Sequence, residues 1–191
     1  MRKKKVIRMK DLSNKVAIIT GSSSGVGAAT ARLFASLGCH VVINFNANSA
    51  GAEQVAKECE ELGVETICFG GSVANDTDCV AMVKAAMDKW GRVDILVNNA
   101  GTTKFVDHNN LDGLDAEDFQ RIYGVNVIGC YQMTRAARAA MEANDEGGAV
   151  VNIASTAAVT GIGSSIAYAA SKGAMVTMTM SLARVLGPKI R

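Results

Sequence analysis

Val16-Ala17-Ile18-Ile19-Thr20-Gly21-Ser22-Ser23-Ser24-Gly25-Val26-Gly27 is the stretch that decides the fold. Its first five residues are apolar or β-branched and end at a glycine, the pattern of a short strand buried on both faces. Gly21, Gly25 and Gly27 then mark a strand-to-helix turn, spaced GxxxGxG rather than the common GxGxxG. A side chain in such a turn blocks close approach of backbone or phosphate, and serines keep the loop narrow. Backbone N–H groups freed at the start of the following helix attract an anion such as a pyrophosphate.

Working outward, the same alternation repeats. The segment from about Gly25 to Leu37 has helical spacing and stops at Gly38. Val41–Phe45 reads as a second strand, 50–62 as a helix ending at Gly63, and Val64–Phe69 as a third strand. Asn75–Trp90 is a helix stopped by Gly91, and Val93–Val97 a fourth strand. Asp115 caps a long helix whose first turn is acidic. Ala149–Ala154 is a fifth strand, and about Ser165–Leu186 a last helix. Apolar strands alternating with amphipathic helices predict an α/β, Rossmann-type, doubly wound parallel sheet.

The composition agrees. Of 191 residues, 49% are hydrophobic and 20% charged, and there is one proline, which excludes a proline-rich linker. The net charge is +2, yet Arg2, Lys3, Lys4, Lys5 and Arg8 alone exceed it, so the body is mildly acidic and implies no nucleic-acid partner. Residues 1–11 read as a basic N-terminal tail and 12–191 as the folded domain. The five cysteines lack CxxC spacing, so metal and disulfide frameworks are not expected, and free thiols suit the cytoplasm. The basic start is not followed by an apolar run and a small-residue cleavage site, so no signal peptide is expected. The most apolar long stretch, Ile166–Leu186, contains Lys172 and Arg184, so no membrane partner is expected either.

Three further stretches carry chemistry. In Tyr168-Ala169-Ala170-Ser171-Lys172 the tyrosine and lysine are four apart and share a helix face. An ammonium beside a phenol favours phenolate, which suits proton exchange with a carbonyl or alcohol oxygen. Alone, the pair also fits a half-buried tyrosine beside a solvated lysine. Ser155 follows strand five, at the edge where such sheets bind ligands, although serine there also forms turns. Asn98-Asn99-Ala100-Gly101 follows strand four. Asn126 is a poor mid-helix residue that a kink or a water site would justify.

Taken together and in order, TGSSSGVG at 20–27, NNAG at 98–101, Asn126, Ser155 and YAASK at 168–172 resemble the short-chain dehydrogenase/reductase family. The resemblance runs from about residue 12 to the end. It implies an oxidoreductase interconverting a small-molecule carbonyl and alcohol by hydride transfer. Tyr168 would be the general acid/base and Lys172 would hold nicotinamide-ribose hydroxyls. Ser155 would orient the substrate oxygen, and Asn126 would hold a relay water. Gly21, Ser23, Ser24, Gly25, Val26, Gly27, Asn46, Ser72, Val73, Asn99, Ala100 and Gly101 would bind the dinucleotide, together with Tyr168 and Lys172. Members commonly pair through the helices holding Asn126 and Tyr168, so a homo-oligomer is implied.

Three departures matter. Phe45 stands where NAD-preferring members carry Asp, and Asn44–Ser49 contains no acid to repel a 2′-phosphate, which favours NADP(H) over NAD(H). No Arg or Lys lies nearby in sequence to hold that phosphate. Ser72 replaces an adenine-contacting Asp or Asn. Members also run beyond residue 191 into a sixth strand and a substrate lid. The sheet is therefore expected to be incomplete after the YxxxK helix, with an uncovered edge beyond strand five. A dinucleotide-binding protein without turnover is the rival reading.

Overall fold

The computed structural model describes residues 11–191, so the basic tail lies outside the described residues except for Asp11. Five parallel strands form one sheet: β1 (Val16–Ile19), β2 (His40–Phe45), β3 (Thr66–Gly70), β4 (Ile95–Asn98) and β5 (Ala149–Asn152). Their order is β3-β2-β1-β4-β5. The chain builds outward from β1 to β3, then returns to place β4 on the other side of β1. That reversal opens a crevice at the carboxyl ends of β1 and β4.

The continuous apolar runs have a simple cause. Neighbouring strand residues face opposite sides, and helices cover both. Ile18, Val42 and Leu96 pack with Met82, Met133 and Met141 under α3 (Asp76–Trp90) and α5 (Cys130–Ala143). Ile19, Ile43 and Val97 pack with Ala31 and Val55 under α1 (Gly25–Ser36) and α2 (Ser49–Glu60).

Two segments depart from the sequence reading. The helix opened by Asp115 is not one long α-helix. It comprises α4 (Ala116–Tyr123), a π-helical turn over Gly124–Gly129, and α5. Asp115 does cap it, in a reciprocal capping box with Asp118. Asn126 lies inside the π turn, where a widened turn accommodates a residue that fits an α-helix poorly. The second departure is at the far edge of the sheet. Lys189–Arg191 pairs in parallel with the start of β5, through Gly148 N–H to Lys189 O at 3.1 Å and Val150 N–H to Arg191 O at 2.8 Å. The expected uncovered edge is therefore only partial: Ile190 is buried, while Val151 further along β5 is 45% exposed.

After β5 come α6 (Ala157–Thr160) and α7 (Ile166–Leu186). In α7, Ala167, Ala169, Ser171, Lys172 and Met175 are buried, whereas most residues beyond Met175 are exposed. Among the described residues, no helix is long and apolar enough to cross a membrane and no side-chain cluster could hold a metal. All five cysteines are free thiols.

Candidate functional site

The switch point holds a cleft of about 580 Å³. Of the dinucleotide residues expected from sequence, Gly21, Ser23, Ser24, Asn46, Ser72, Val73, Asn99, Ala100 and Gly101 line it. Gly25, Val26 and Gly27 begin α1 directly beside Ser24. Gly25 has φ +57°, and a Cβ there would meet nothing within 4 Å, so it opens onto free space. Gly27 is the opposite case: a Cβ would lie 2.5 Å from Asn99 Nδ2 and 2.8 Å from Gly21 O. One glycine keeps the loop open and the other lets the helix close against the neighbouring loop. An open cradle of serines and glycines at a helix start suits a diphosphate.

The cradle is held by residues whose role is invisible in the linear sequence. Thr20 Oγ1 accepts from Asn99 N–H at 3.0 Å and Ala100 N–H at 2.9 Å, while Asn99 Nδ2 donates to Thr20 O at 2.9 Å and Gly21 O at 3.0 Å. Asn44 is buried at the end of β2. Its Oδ1 accepts from Gly21 N–H at 3.0 Å and its Nδ2 donates to Gly71 O at 2.9 Å. Thus one amide ties the ends of β1, β2 and β3 together. The sequence reading used Asn44 only as a position lacking acid. Asn98 likewise braces the sheet, donating to Thr134 Oγ1 at 3.2 Å and Asn152 Oδ1 at 2.9 Å.

At the Gly101 end of the cleft stand the polar residues of α7. Lys172 is 3% exposed, and its Nζ donates to Ile153 O at 2.6 Å. Burial pushes the Lys172 ammonium down from its ordinary range, with the Cys130 thiol opposing the shift. A Cβ on Gly101 would lie 3.8 Å from Lys172 Nζ and 3.5 Å from Asn126 Oδ1, which places both residues at the NNAG loop. The Lys172 ammonium also lies 5.8 Å from the centre of the Tyr168 ring. Asn126, fully buried, accepts from Thr102 N–H at 2.8 Å and donates to Thr102 O at 3.0 Å and Ser171 Oγ at 2.9 Å. Ser171 in turn donates to Tyr168 O at 2.7 Å. Asn126 is thereby joined through Ser171 to the first turn of α7. Ser171 was read only as a letter of the YAASK motif.

Ser155 sits at the β5–α6 corner, and its Oγ accepts from Ala157 N–H at 3.1 Å. It therefore has the turn-forming role that serine permits there, while α6 packs against the helix bearing Tyr168. The structure thus gathers Tyr168, Lys172 and Asn126 directly, with Ser155 at the adjoining corner. Of the two histidines, His40 opens β2 and His108 lies in the loop after β4.

Sequence reasoning also missed Arg121. It lies on α4, 75 residues after Asn46, yet both line the same cleft. Arg121 donates through Nη1 to Thr102 Oγ1 at 3.2 Å and through Nη2 to Asp118 Oδ1 at 3.3 Å.

A doubly wound sheet with a glycine cradle at its switch point, and a tyrosine–lysine helix at one end of the cleft, defines a dinucleotide-type α/β protein. The family model for short chain dehydrogenases matches residues 15–191. The chain is 38% identical over 183 residues to 3-hydroxyacyl-CoA dehydrogenase type-2 of Drosophila melanogaster, covering 92% of this chain and 70% of that protein. A crystal structure of a protein from Burkholderia xenovorans, assigned to the short-chain dehydrogenase/reductases, superposes with TM-score 0.90 at 46% identity. It covers 93% of this chain and 74% of the other. NAD+-bound xylitol dehydrogenase superposes with TM-score 0.88 at 30% identity, covering 95% of this chain and 69% of that one. The chain belongs to the short-chain dehydrogenase/reductase family, whose members are oxidoreductases using nicotinamide dinucleotides.

Proposed function

We propose that the chain is a reductase or dehydrogenase that interconverts a small-molecule carbonyl and its alcohol, with NADP(H) preferred over NAD(H). The observation that carries this reading is the junction at Gly101, where Lys172, Asn126 and the Tyr168 helix meet the glycine-lined cleft. A protein that only bound a dinucleotide would need Asn126 and Lys172 to seat α7, but not a tyrosine beside that lysine.

Ser23, Ser24, Gly25, Val26 and Gly27 would hold the diphosphate, with Gly21 at the turn. Asn46 would face the adenosine ribose. Ser72 and Val73, with Asn99, Ala100 and Gly101, would border the adenosine half. Tyr168 and Lys172 would border the nicotinamide ribose. When bound, the dinucleotide supplies or accepts the hydride. The protein's own task is placement and proton handling. In the reducing direction Tyr168 gives its phenolic proton to the carbonyl oxygen as the carbonyl carbon gains the hydride. In oxidation it takes the alcohol proton. Ser155 orients that oxygen by hydrogen bonding. Lys172 holds the ribose hydroxyls and keeps positive charge beside the phenol. Asn126 fixes the loop at Thr102 and supports a water that returns protons toward Lys172.

The absence of acid in Asn44–Ser49 supports the preference for NADP(H). The exposed apolar residues Val176, Met180 and Val185 on α7 support a homo-oligomer formed through that helix and α5. Residues 12–191 act as one dinucleotide-binding domain, and the five free thiols support a cytoplasmic location.

Tyr168→Phe tests the assignment. Carbonyl-dependent NADPH oxidation should fall by about 10²–10⁴-fold, the usual worth of a general acid. Dinucleotide affinity should stay near wild type. Turnover that survives the change would refute the role of Tyr168. Binding without turnover in the wild-type protein would favour the binding-only alternative.

A further inference from the structure

We propose that His108 is a positioning residue for the carbonyl step: from the loop after β4 it holds Gly163, which spaces the Ser155 corner from the Tyr168 ring. The inference rests on the reading of Ser155 and Tyr168 as the pair that meets the substrate oxygen. Gly163 lies in the loop between α6 and α7. A Cβ built on it would sit 3.0 Å from Ala157 Cβ and 3.3 Å from Tyr168 Cδ1. Ala157 is the residue whose N–H donates to Ser155 Oγ. The Gly163 backbone thus fills the gap between the serine's turn and the tyrosine's ring. A side chain there would push one of them aside.

Among the described residues, the hydrogen bonds of the Gly163 backbone go to His108 alone. His108 Nε2 lies 3.2 Å from Gly163 O and 3.4 Å from Gly163 N. In one neutral tautomer that nitrogen donates to the carbonyl, and in the other it accepts from the N–H. Either keeps the ring on Gly163. The neighbouring contacts run the same way. Thr103 Oγ1 lies 2.5 Å from Ser164 Oγ, and Val106 N–H donates to Ser164 O at 2.9 Å. Ser165, the next residue, accepts from Tyr168 N–H and caps α7. The loop after β4 therefore grips 163–164 immediately before the helix that presents Tyr168. Such a grip bears on rate, because a misplacement of about 1 Å at a reacting group can cost about a hundredfold. Among the described residues, none of 103–108 or 161–165 lines the dinucleotide cleft, so the effect should fall on the carbonyl step and spare dinucleotide binding.

His108→Leu in the full chain removes both bonds at similar size, and His108→Gln brings an amide near the lost nitrogen. His108→Asn, whose shorter amide cannot replace Nε2, serves if the leucine variant does not fold. Hydrogen exchange needs no substrate: the Gly163 and Val106 amides should exchange at least about tenfold faster in His108→Leu and slow again in His108→Gln. With a carbonyl probe that the wild type reduces, kcat at saturating NADPH should fall about tenfold to a hundredfold in His108→Leu and recover in part in His108→Gln. The calorimetric Kd for NADPH should stay within about twofold of wild type. A histidine with a merely structural role would lower the melting temperature and leave kcat of the folded variant unchanged, and that result overturns the proposal. Wild-type exchange at Gly163 in His108→Leu overturns it as well, while leaving the carbonyl reading intact. A wild-type protein that binds NADPH but reduces none of an aliphatic ketone, an aromatic ketone and a β-keto ester refutes the carbonyl reading itself, and the positioning role falls with it.

Discussion

Two glycines two residues apart should fail in different ways. At Gly25, alanine meets no neighbour within 4 Å, but it must hold φ +57°. That left-handed conformation costs a residue with a Cβ about 1–2 kcal/mol. Gly25→Ala should therefore lower the unfolding free energy by about that amount and leave a folded protein. The added methyl projects into the space assigned to the diphosphate, so dinucleotide binding should fall much further than stability. At Gly27, alanine meets Asn99 Nδ2 at 2.5 Å, Gly21 O at 2.8 Å and Ser22 Cα at 2.9 Å. Asn99 could turn aside only by giving up its bonds to Thr20 O and Gly21 O, and the two backbone atoms belong to a loop pinned by Asn44 and Thr20. Gly27→Ala should cost about 1–3 kcal/mol in overpacking, plus the lost Asn99 bonds, and should show a clear drop in stability before any question of ligand arises.

Urea denaturation and NADPH titration on both variants separate the two effects. At 2–4 °C of melting temperature per kcal/mol for a domain of this size, the Gly27 effect is also easily seen by heating. Gly25→Ala protein that binds NADPH as tightly as wild type would show that the open space over Gly25 is not the diphosphate seat. Wild-type stability in Gly27→Ala protein would mean that the loop packing relaxes freely, which would contradict the close approach described for Asn99.

Asn126→Ala removes three hydrogen bonds from a fully buried position and strands the Thr102 backbone groups, so it should cost about 3 kcal/mol, read from urea denaturation. Lys172→Met addresses the buried ammonium. The Lys172 pKa is lowered by folding, so between that lowered value and about 10.5 the unfolded chain binds more protons than the native one. Wild-type stability should therefore gain on that of Lys172→Met as pH rises through this window and stay in a constant relation below it. Parallel stability–pH curves for the two proteins would show that Lys172 is not desolvated by the fold.

Much of this was legible in the linear sequence because each strand is a short apolar run stopped by a turn. The boundaries slipped where burial and sheet pairing part company. Val64 and Val93 are buried, yet β3 begins at Thr66 and β4 at Ile95, so an apolar residue marked the core before the ladder had begun. Asn126 was visible as an anomaly, a poor helix former in a helical run, and the anomaly is a π turn. Arg121 and Ser171 gave no comparable signal. Nothing around Arg121 in sequence hints that α4 brings it to the cleft beside Thr102, and a serine beside the motif lysine is unremarkable until Asn126 is found bonded to it. Local pattern shows which residues go inside, whereas only the packed chain shows which polar groups meet there.

The polar groups that meet at this site also carry the last helix. Beyond Met175, α7 is mostly exposed, so its seating on the sheet depends on its first half and on a few directional bonds. Asn126 bonds Ser171, Lys172 bonds Ile153 O, and Asn152 Nδ2 donates to Thr179 Oγ1 at 2.8 Å. The residues assigned to chemistry therefore also hold the helix that presents Tyr168. Losing Asn126 or Lys172 should disturb stability and turnover together, and a fall in activity in either variant would be ambiguous. Tyr168 is different. The hydrogen bonds that fix it run through its backbone, from its N–H to Ser165 Oγ at 3.3 Å and from Ser171 Oγ to its carbonyl. Phenylalanine keeps both bonds and the ring. A variant that removes only the phenolic oxygen thus separates proton transfer from architecture, and a result obtained with it can be read as chemistry.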